Sequence, residues 1–221
     1  MILIKTDKTI KGVIFDLDGV ITDTADYHFK SWKRLAEEEN ISFNKKDNEK
    51  LRGLTREKSL ETILKEKDIS PSQKKDFLKR KNDYFHEYIS DMDESDLLPG
   101  VKKLLNRLKQ KKIKMGVASS SKNAGIIINR LGFEDFFMVI GDGNSVNKNK
   151  PAPDIFLYAA DKMNIPPVKC VVIEDSKAGV EAAIKAGMKV VGIGPEKRVG
   201  KADCIYKEIK NIEIEQLLNF K

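Results

Sequence analysis

Two kinds of hydrophobic pattern divide the chain. Short apolar runs rich in β-branched residues, which are typical of buried strands, occur at 13–15, 113–118, 136–140, 168–173, 190–193 and 204–205. From residue 99 onward these runs alternate with segments whose apolar residues recur at helical spacing, as Val101, Leu104, Leu105 and Leu108 do. This alternation predicts an α/β fold with a parallel, doubly wound, Rossmann-like sheet.

Residues 24–98 have only the helical pattern. Ala25, Phe29, Trp32 and Leu35 recur at helical spacing, and further helices are predicted to begin near residues 55 and 70. This helical stretch separates the first strand from the alternating region. It therefore predicts a helical cap domain at 24–98, inserted into a catalytic core made of 1–23 and 99–221.

Acidic residues follow two of the predicted strands. Asp16 and Asp18 stand two positions apart at the end of the first strand, so both point to one side, and Gly19 allows a sharp turn after them. Glu174 and Asp175 follow the strand at 168–173. Four carboxylates at one sheet edge predict a hard divalent cation such as Mg²⁺. Taken alone, the Glu-Asp pair is equally explained by stabilisation of the helix dipole.

Candidate anion-binding residues follow another strand and precede a predicted helix. The segment 119–123 joins the strand at 113–118 to a helix N-terminus, where backbone N–H groups bind anions, although a serine run is as often simple capping. Lys150 precedes a rigid Pro-Ala-Pro turn and can pair with an acid or a phosphate, although a surface lysine is the plain alternative. In the cap, Thr24, His28 and Trp32 share one helix face, as packed core residues also would.

Composition and charge narrow the class of protein. The 221 residues include 41 Lys and Arg against 34 Asp and Glu, a net charge of +7. Lysines and glutamates are interspersed without a basic stripe, so we expect small phosphorylated substrates rather than nucleic acid. The two cysteines, Cys170 and Cys204, lie in apolar runs and are predicted to be buried thiols. No apolar run is long enough to span a membrane and residues 1–6 lack a signal-peptide pattern, so we expect a cytoplasmic protein, and also a monomer.

The residues that carry this chemistry resemble those of a known family. The string from Val13 through Asp16, Asp18 and Gly19 to Thr24 resembles the first motif of the haloacid dehalogenase superfamily of aspartate-nucleophile phosphotransferases. Together with His28, Trp32 and the stretches 51–59, 119–123 and 150–154, it resembles the β-phosphoglucomutase family within that superfamily. The resemblance runs from about residue 11 to the last predicted strand.

The resemblance implies roles for the polar residues. Asp16 would be the nucleophile that becomes an aspartyl phosphate, and Asp18 the general acid and base. Asp16, Asp175 and the backbone carbonyl of Asp18 would bind Mg²⁺, with Glu174 nearby. The transferring phosphate would be held by Ser119, the Ser120 amide and Lys150, and a second phosphate by Arg56, Ser121, Lys122 and Asn123. The face of the cap that closes over the sugar would carry Thr24, His28, Trp32, Leu51, Gly53, Ser59 and Lys81.

The activity that the resemblance implies is the interconversion of β-D-glucose 1-phosphate and D-glucose 6-phosphate through a bound bisphosphate. Two alternatives remain: a Mg²⁺-dependent sugar-phosphate phosphatase on the same scaffold, and a basic nucleic-acid-binding module. The acidic quartet argues against the second, because carboxylates repel phosphate unless a metal intervenes. The chain departs from the family at Ser120, where an alanine is usual, in about eight extra residues at the start, and in the loop at 141–149.

Overall fold

The computed structural model describes residues 9–51, 54–65 and 67–220. The chain divides into two compact units, one formed by the described parts of Met1–Asp23 and Asp93–Lys221 and the other by Thr24–Met92. The sequence pattern predicted units at 1–23 with 99–221 and at 24–98, so its second boundary lies six residues later than the one in the structure. We call the first the core unit and the second the cap unit.

A six-stranded parallel sheet forms the centre of the core unit. Its strands are β1 (Gly12–Phe15), β2 (Lys114–Ala118), β3 (Val139–Gly141), β4 (Cys170–Glu174), β5 (Lys189–Ile193) and β6 (Cys204–Tyr206), in the order β3-β2-β1-β4-β5-β6. All residues of β1 and β4 are buried, as expected for strands of a parallel sheet that is covered on both faces. The predicted doubly wound α/β fold is therefore confirmed.

Within its described residues the cap unit has no strand and consists of four helices. They are α1 (Ala25–Glu38), α2 (Lys45–Glu49), α3 (Arg56–Leu64) and α4 (Pro71–Tyr88). Trp32, Leu35, Leu60 and Phe77 meet in one apolar cluster, as the helical spacing of the apolar residues requires. The polar faces of α1 and α4 are joined by Arg80, which makes ion pairs with carboxylates of both helices. This is an all-helical unit with its own core.

The described part of the core unit also has six α-helices: α5 (Val101–Gln110), α6 (Ala124–Leu131), α7 (Asp154–Lys162), α8 (Lys177–Lys185), α9 (Glu196–Val199) and α10 (Ile214–Leu218). On one face of the sheet, Ile14 of β1 and Val172 of β4 pack with Phe156 of α7 and Ala183 of α8. This packing fixes the positions at which β1 and β4 end.

Three local predictions differ from the structure. The strand predicted at 168–173 begins only at Cys170, because Pro167–Lys169 form a 3₁₀ turn. The strand predicted at 136–140 begins only at Val139, because Phe136 is the last residue of a 3₁₀ turn. The centre of the Phe136 ring lies 5.1 Å from that of the Phe133 ring. Of the two cysteines predicted to be buried, Cys170 is buried, and its burial raises the pKa of its thiol to about 12. Cys204 is only half-buried, because β6 is an edge strand of the sheet.

No helix in the described ranges has both the length and the apolar character needed to cross a membrane.

The order of the strands positions the acidic residues. The chain moves from β1 to β2 and β3 on one side and returns to β4, β5 and β6 on the other, so the order reverses at β1. In such sheets a crevice opens where the order reverses, outside the carboxyl ends of the strands. Phe15 pairs with Ile173 and the Asp16 amide donates to the Ile173 carbonyl at 2.9 Å. Asp16 and Glu174 therefore leave the sheet side by side.

Candidate active site

Three buried carboxylates converge at the carboxyl ends of β1 and β4. Asp16, Glu174 and Asp175 each offer a carboxylate oxygen, and these atoms lie within 4.8 Å of one another. A set of hard oxygen donors this close fits a small divalent cation, because Mg²⁺ prefers such ligands. The Asp18 side chain is half-exposed and is not part of this cluster. We call these three residues the acidic cluster.

Gly19 brings the turn after β1 close to the acidic cluster. Its φ of +81° lies in the left-handed region, and its amide donates to the Thr22 carbonyl at 2.7 Å. A Cβ atom at this position would lie 2.5 Å from Oδ2 of Asp175. A larger residue would therefore displace the Asp175 carboxylate as well as strain the turn, which explains why glycine follows Asp18.

Lys150 links two members of the acidic cluster. Its Nζ donates to Oδ1 of Asp16 at 2.6 Å and to Oε2 of Glu174 at 2.8 Å, and its side chain is only 6% exposed. Burial alone lowers the pKa of this ammonium, but the two adjacent carboxylates outweigh it and raise the pKa above its usual range. Burial and the Glu174 charge raise the pKa of Asp16 well above its usual range, although Lys150 opposes them. Lys150 therefore offsets part of the cost of burying the Asp16 charge.

We expect Lys150→Met to destabilise the metal-free protein by about 3–5 kcal/mol at pH 7.5, the usual cost of leaving a buried charge without its partner. Because the folded-state pKa of Asp16 is already raised, and rises further without Lys150, protonation of Asp16 favours the folded state. The loss should therefore shrink as the pH falls through that raised pKa. Urea unfolding in EDTA at pH 7.5 and pH 5.5 measures both effects. Lys148→Met, at an exposed position two residues away, is the control. Equal stability of the two variants would contradict the buried ion pair.

Glu174 is held by the start of α8. The Ser176 amide and hydroxyl donate to Oε1 of Glu174 at 3.0 and 2.7 Å, while the same hydroxyl accepts from the Gly179 amide. Ser176 is therefore the N-cap of α8. A Cβ on Gly179 would lie 2.0 Å from the Glu174 carboxyl carbon. The glycine in the first turn of α8 therefore makes room for Glu174, a requirement that no sequence motif indicated.

The segment 119–123 forms a tight turn between β2 and α6. The Ser119 hydroxyl accepts from the Ser121 amide at 3.0 Å, and the Ser121 hydroxyl accepts from the Asn123 amide at 3.2 Å. Ser119 and Asn123 are buried, whereas Ser120 and Lys122 are exposed. The Gly143 amide donates to the Ser121 carbonyl, so the loop at 141–149 packs against this turn.

The cap residues named from the sequence belong to the other unit. Lys81 is buried, and its Nζ lies 2.7 Å from Nδ1 of His28, 5.3 Å from the centre of the Trp32 ring and 4.7 Å from that of Phe85. Burial, followed by the charges of Lys81 and Arg56, lowers the pKa of His28 well below its usual range. The imidazole is therefore neutral at pH 7, and Nδ1 accepts from the Lys81 ammonium.

The remaining predicted cap residues differ in their surroundings. Thr24, Leu51 and Ser59 are buried, and Arg56 is half-buried at the first position of α3, next to its N-cap Thr55. Gly53 lies outside the described residues. The structure therefore groups His28, Trp32 and Lys81, and separately groups Asp16, Glu174, Asp175 and Lys150.

The chain is similar to several known proteins. The model of the haloacid dehalogenase-like hydrolase family matches residues 13–193. β-Phosphoglucomutase from Bacillus subtilis strain 168 is 44% identical over 94% of this chain and 94% of its own, and a phosphorylated carbohydrates phosphatase from Thermotoga maritima is 31% identical over 95% and 97%. The crystal structure of β-phosphoglucomutase from Clostridium difficile superposes with a TM-score of 0.87 at 39% identity, over 94% of this chain and 95% of that one. The chain belongs to the haloacid dehalogenase-like hydrolase family and, within it, to the β-phosphoglucomutase family.

Proposed function

We propose that the protein is a phosphomutase that interconverts β-D-glucose 1-phosphate and D-glucose 6-phosphate through a bound bisphosphate. The observation that carries the proposal is the buried Asp16 carboxylate, which Lys150 contacts inside the acidic cluster at the end of β1. The 44% identity to the Bacillus β-phosphoglucomutase supports the choice of substrate. We also expect a cytoplasmic, monomeric enzyme, and both expectations remain predictions.

The first half of the reaction phosphorylates the enzyme. An Asp16 oxygen attacks the phosphorus atom of the bisphosphate, and the bond from phosphorus to the sugar oxygen breaks. Asp18 gives its proton to that departing oxygen, which leaves as a sugar hydroxyl. Lys150 holds Asp16 in place, since it donates to Oδ1 and leaves Oδ2 for the attack.

The second half returns the phosphoryl group to the sugar. The hydroxyl of a sugar monophosphate attacks the aspartyl phosphate, Asp18 accepts the hydroxyl proton, and the Asp16 carboxylate is released. Ser119 and the Ser120 amide would hold the transferring phosphate beside Lys150, while Ser121, Lys122, Asn123 and Arg56 would hold the second. Mg²⁺ held by Asp16, Asp175 and the Asp18 carbonyl, with Glu174 nearby, would neutralise charge on the phosphoryl oxygens.

A product assay tests the proposal and its main alternative. The protein is incubated with Mg²⁺, β-glucose 1-phosphate and a trace of β-glucose 1,6-bisphosphate, and glucose 6-phosphate and free phosphate are measured together. A mutase gives glucose 6-phosphate with little free phosphate. Free phosphate as the main product would instead favour a sugar-phosphate phosphatase, which the 31% identity to the Thermotoga enzyme supports as the second candidate.

We expect activity to disappear in EDTA and to return with Mg²⁺, because the acidic cluster fits a hard cation. Asp175→Ala should raise the Mg²⁺ concentration needed for half-maximal activity by at least about tenfold, since it removes one of the few protein ligands. A Mg²⁺ titration of activity measures the change, with Asp161→Ala at an exposed position of α7 as the control. Full activity in metal-free buffer would rule out the cation site.

Arg56→Ala should reduce mutase flux by about 100-fold or more, if Arg56 binds a phosphate that is withdrawn from water. Formation of aspartyl phosphate from acetyl phosphate should persist, because that small donor needs only the residues at the end of β1. Both activities are measured in one preparation, with Lys58→Ala on the same helix as the control. If the two activities fall together, Arg56 does not bind a separate second phosphate.

A further inference from the structure

Arg198 is a cation beside the acidic cluster to which the proposed mechanism gives no role. It lies on α9, the short helix after β5, and its Nη2 atom is 3.4 Å from Oδ2 of Asp175. The arginine side chain is 31% exposed and that of Asp175 13%. The pair is therefore partly withdrawn from water, where charges interact more strongly than on an open surface.

The turn between β5 and α9 leaves space for the guanidinium. Gly194 has a φ of +109°, and a Cβ atom there would lie 2.5 Å from Nη2 of Arg198. The Gly194 amide donates to the Tyr206 carbonyl at 2.9 Å, which ties the turn to β6. Glycine at this position therefore both adopts the positive φ of the turn and leaves room for the guanidinium.

The hydrogen bonds of Arg198 do not indicate that this side chain serves mainly to stabilise the fold. Its Nε is buried and has no hydrogen-bond partner within the described ranges. A buried donor without a partner opposes folding, and side chains placed for stability normally avoid it. The ion pair that Arg198 makes in the described part of the chain is with Asp175. The carboxylate, rather than the fold, accounts for where the guanidinium lies.

Lys150 and Arg198 contact different carboxylates of the acidic cluster. Lys150 contacts Asp16 and Glu174, and Arg198 contacts Asp175, so every carboxylate of the cluster faces a cation that belongs to the chain. A divalent ion bound to Asp175 would lie close to the guanidinium, and the two positive charges would repel each other. Arg198 is therefore placed to weaken metal binding.

We propose that Arg198 is a positioning residue that competes with the divalent ion for Asp175 and so lowers the metal affinity of the site. In the metal-free protein the guanidinium keeps the Asp175 carboxylate paired and oriented. In the metal-bound protein its charge favours release of the ion. The inference rests on the proposed function in one respect, that the acidic cluster binds Mg²⁺.

Direct binding measurements test this without any turnover. Isothermal titration of the substrate-free protein with Mg²⁺ gives a Kd for the wild type, Arg198→Gln, Arg198→Lys and Lys197→Gln. Removal of the charge in Arg198→Gln should lower the Kd by roughly tenfold, the scale of a partly screened charge pair. Arg198→Lys keeps the charge and should restore a Kd near the wild-type value. Lys197→Gln removes the same charge from an exposed position of α9 and should change little.

Each other outcome overturns the inference. An unchanged or larger Kd in Arg198→Gln would show that the guanidinium does not oppose the metal. An equal gain in Lys197→Gln would show a general effect of net charge. Circular dichroism and thermal unfolding check the fold, and Arg198→Met is the second uncharged variant. If neither uncharged variant folds, Arg198 is structural and the inference is wrong. If the wild type binds no Mg²⁺, the metal site of the proposed function fails first.

Discussion

Asp16→Asn should abolish turnover and leave no phosphorylated enzyme. An amide oxygen is a far weaker nucleophile than a carboxylate oxygen. The proposed phosphoenzyme forms only by attack of an Asp16 carboxylate oxygen on phosphorus. The variant should fold at least as well as the wild type in EDTA. Burial and Glu174 raise the pKa of Asp16 well above its usual range, so its charge is costly, and Lys150 keeps Glu174 as a partner. Loss of activity would therefore not follow from loss of structure.

Two measurements on the same sample check this expectation. Intact mass spectrometry after incubation with acetyl phosphate and Mg²⁺ detects one added phosphoryl group on the wild type, and none is expected on Asp16→Asn. The coupled assay for glucose 6-phosphate gives the loss of flux. Asp161→Asn, an exposed aspartate on α7, is the matched control and should behave as the wild type does. A phosphorylated Asp16→Asn protein, or one that still turns over, would contradict the role of Asp16 as the nucleophile.

Much of the fold follows from local patterns. The apolar runs of β1 and β4 are short, β-branched and bounded by polar residues, which leaves few alternatives to buried parallel strands. Parallel strands end at the same edge of a sheet, so the proximity of Asp16 to Glu174 and Asp175 could be predicted from their positions after those strands. The catalytic and binding roles of these residues remain predictions.

Other features depend on particular side-chain contacts that the pattern of apolar and polar positions does not encode. Arg198 approaches Asp175 only because the turn after β5 bends back at Gly194, and a lone arginine in a polar segment gives no signal of this. Gly179 is required by the Glu174 carboxylate, which precedes α8. The predicted start of β3 was wrong, because residues up to Phe136 form a 3₁₀ turn, in which Phe133 packs on Phe136, instead of an extended strand.

Asp18→Asn should preserve the fold and the metal site but slow transfer between enzyme and sugar by about 10²–10⁴-fold, the usual contribution of general acid and base catalysis. Asp18 is half-exposed, and its side chain is not part of the acidic cluster. Its backbone is fixed by a bridge to Thr22, which an asparagine of nearly the same shape should keep. The substitution therefore removes the carboxyl proton while keeping the shape of the side chain.

The choice of phosphoryl donor separates this role from others. Acetyl phosphate has a leaving group that departs without a proton, so Asp18→Asn should still form the phosphoenzyme from it, at a rate near that of the wild type. Transfer from β-glucose 1,6-bisphosphate, whose sugar oxygen needs a proton, should be slow, and so should the attack of glucose 6-phosphate on the preformed phosphoenzyme. Rapid-quench measurements of both donors, together with a Mg²⁺ titration by calorimetry, give the comparison. Equal losses with the two donors would assign Asp18 to phosphate or metal binding, and near-normal rates with the sugar donor would remove it from proton transfer.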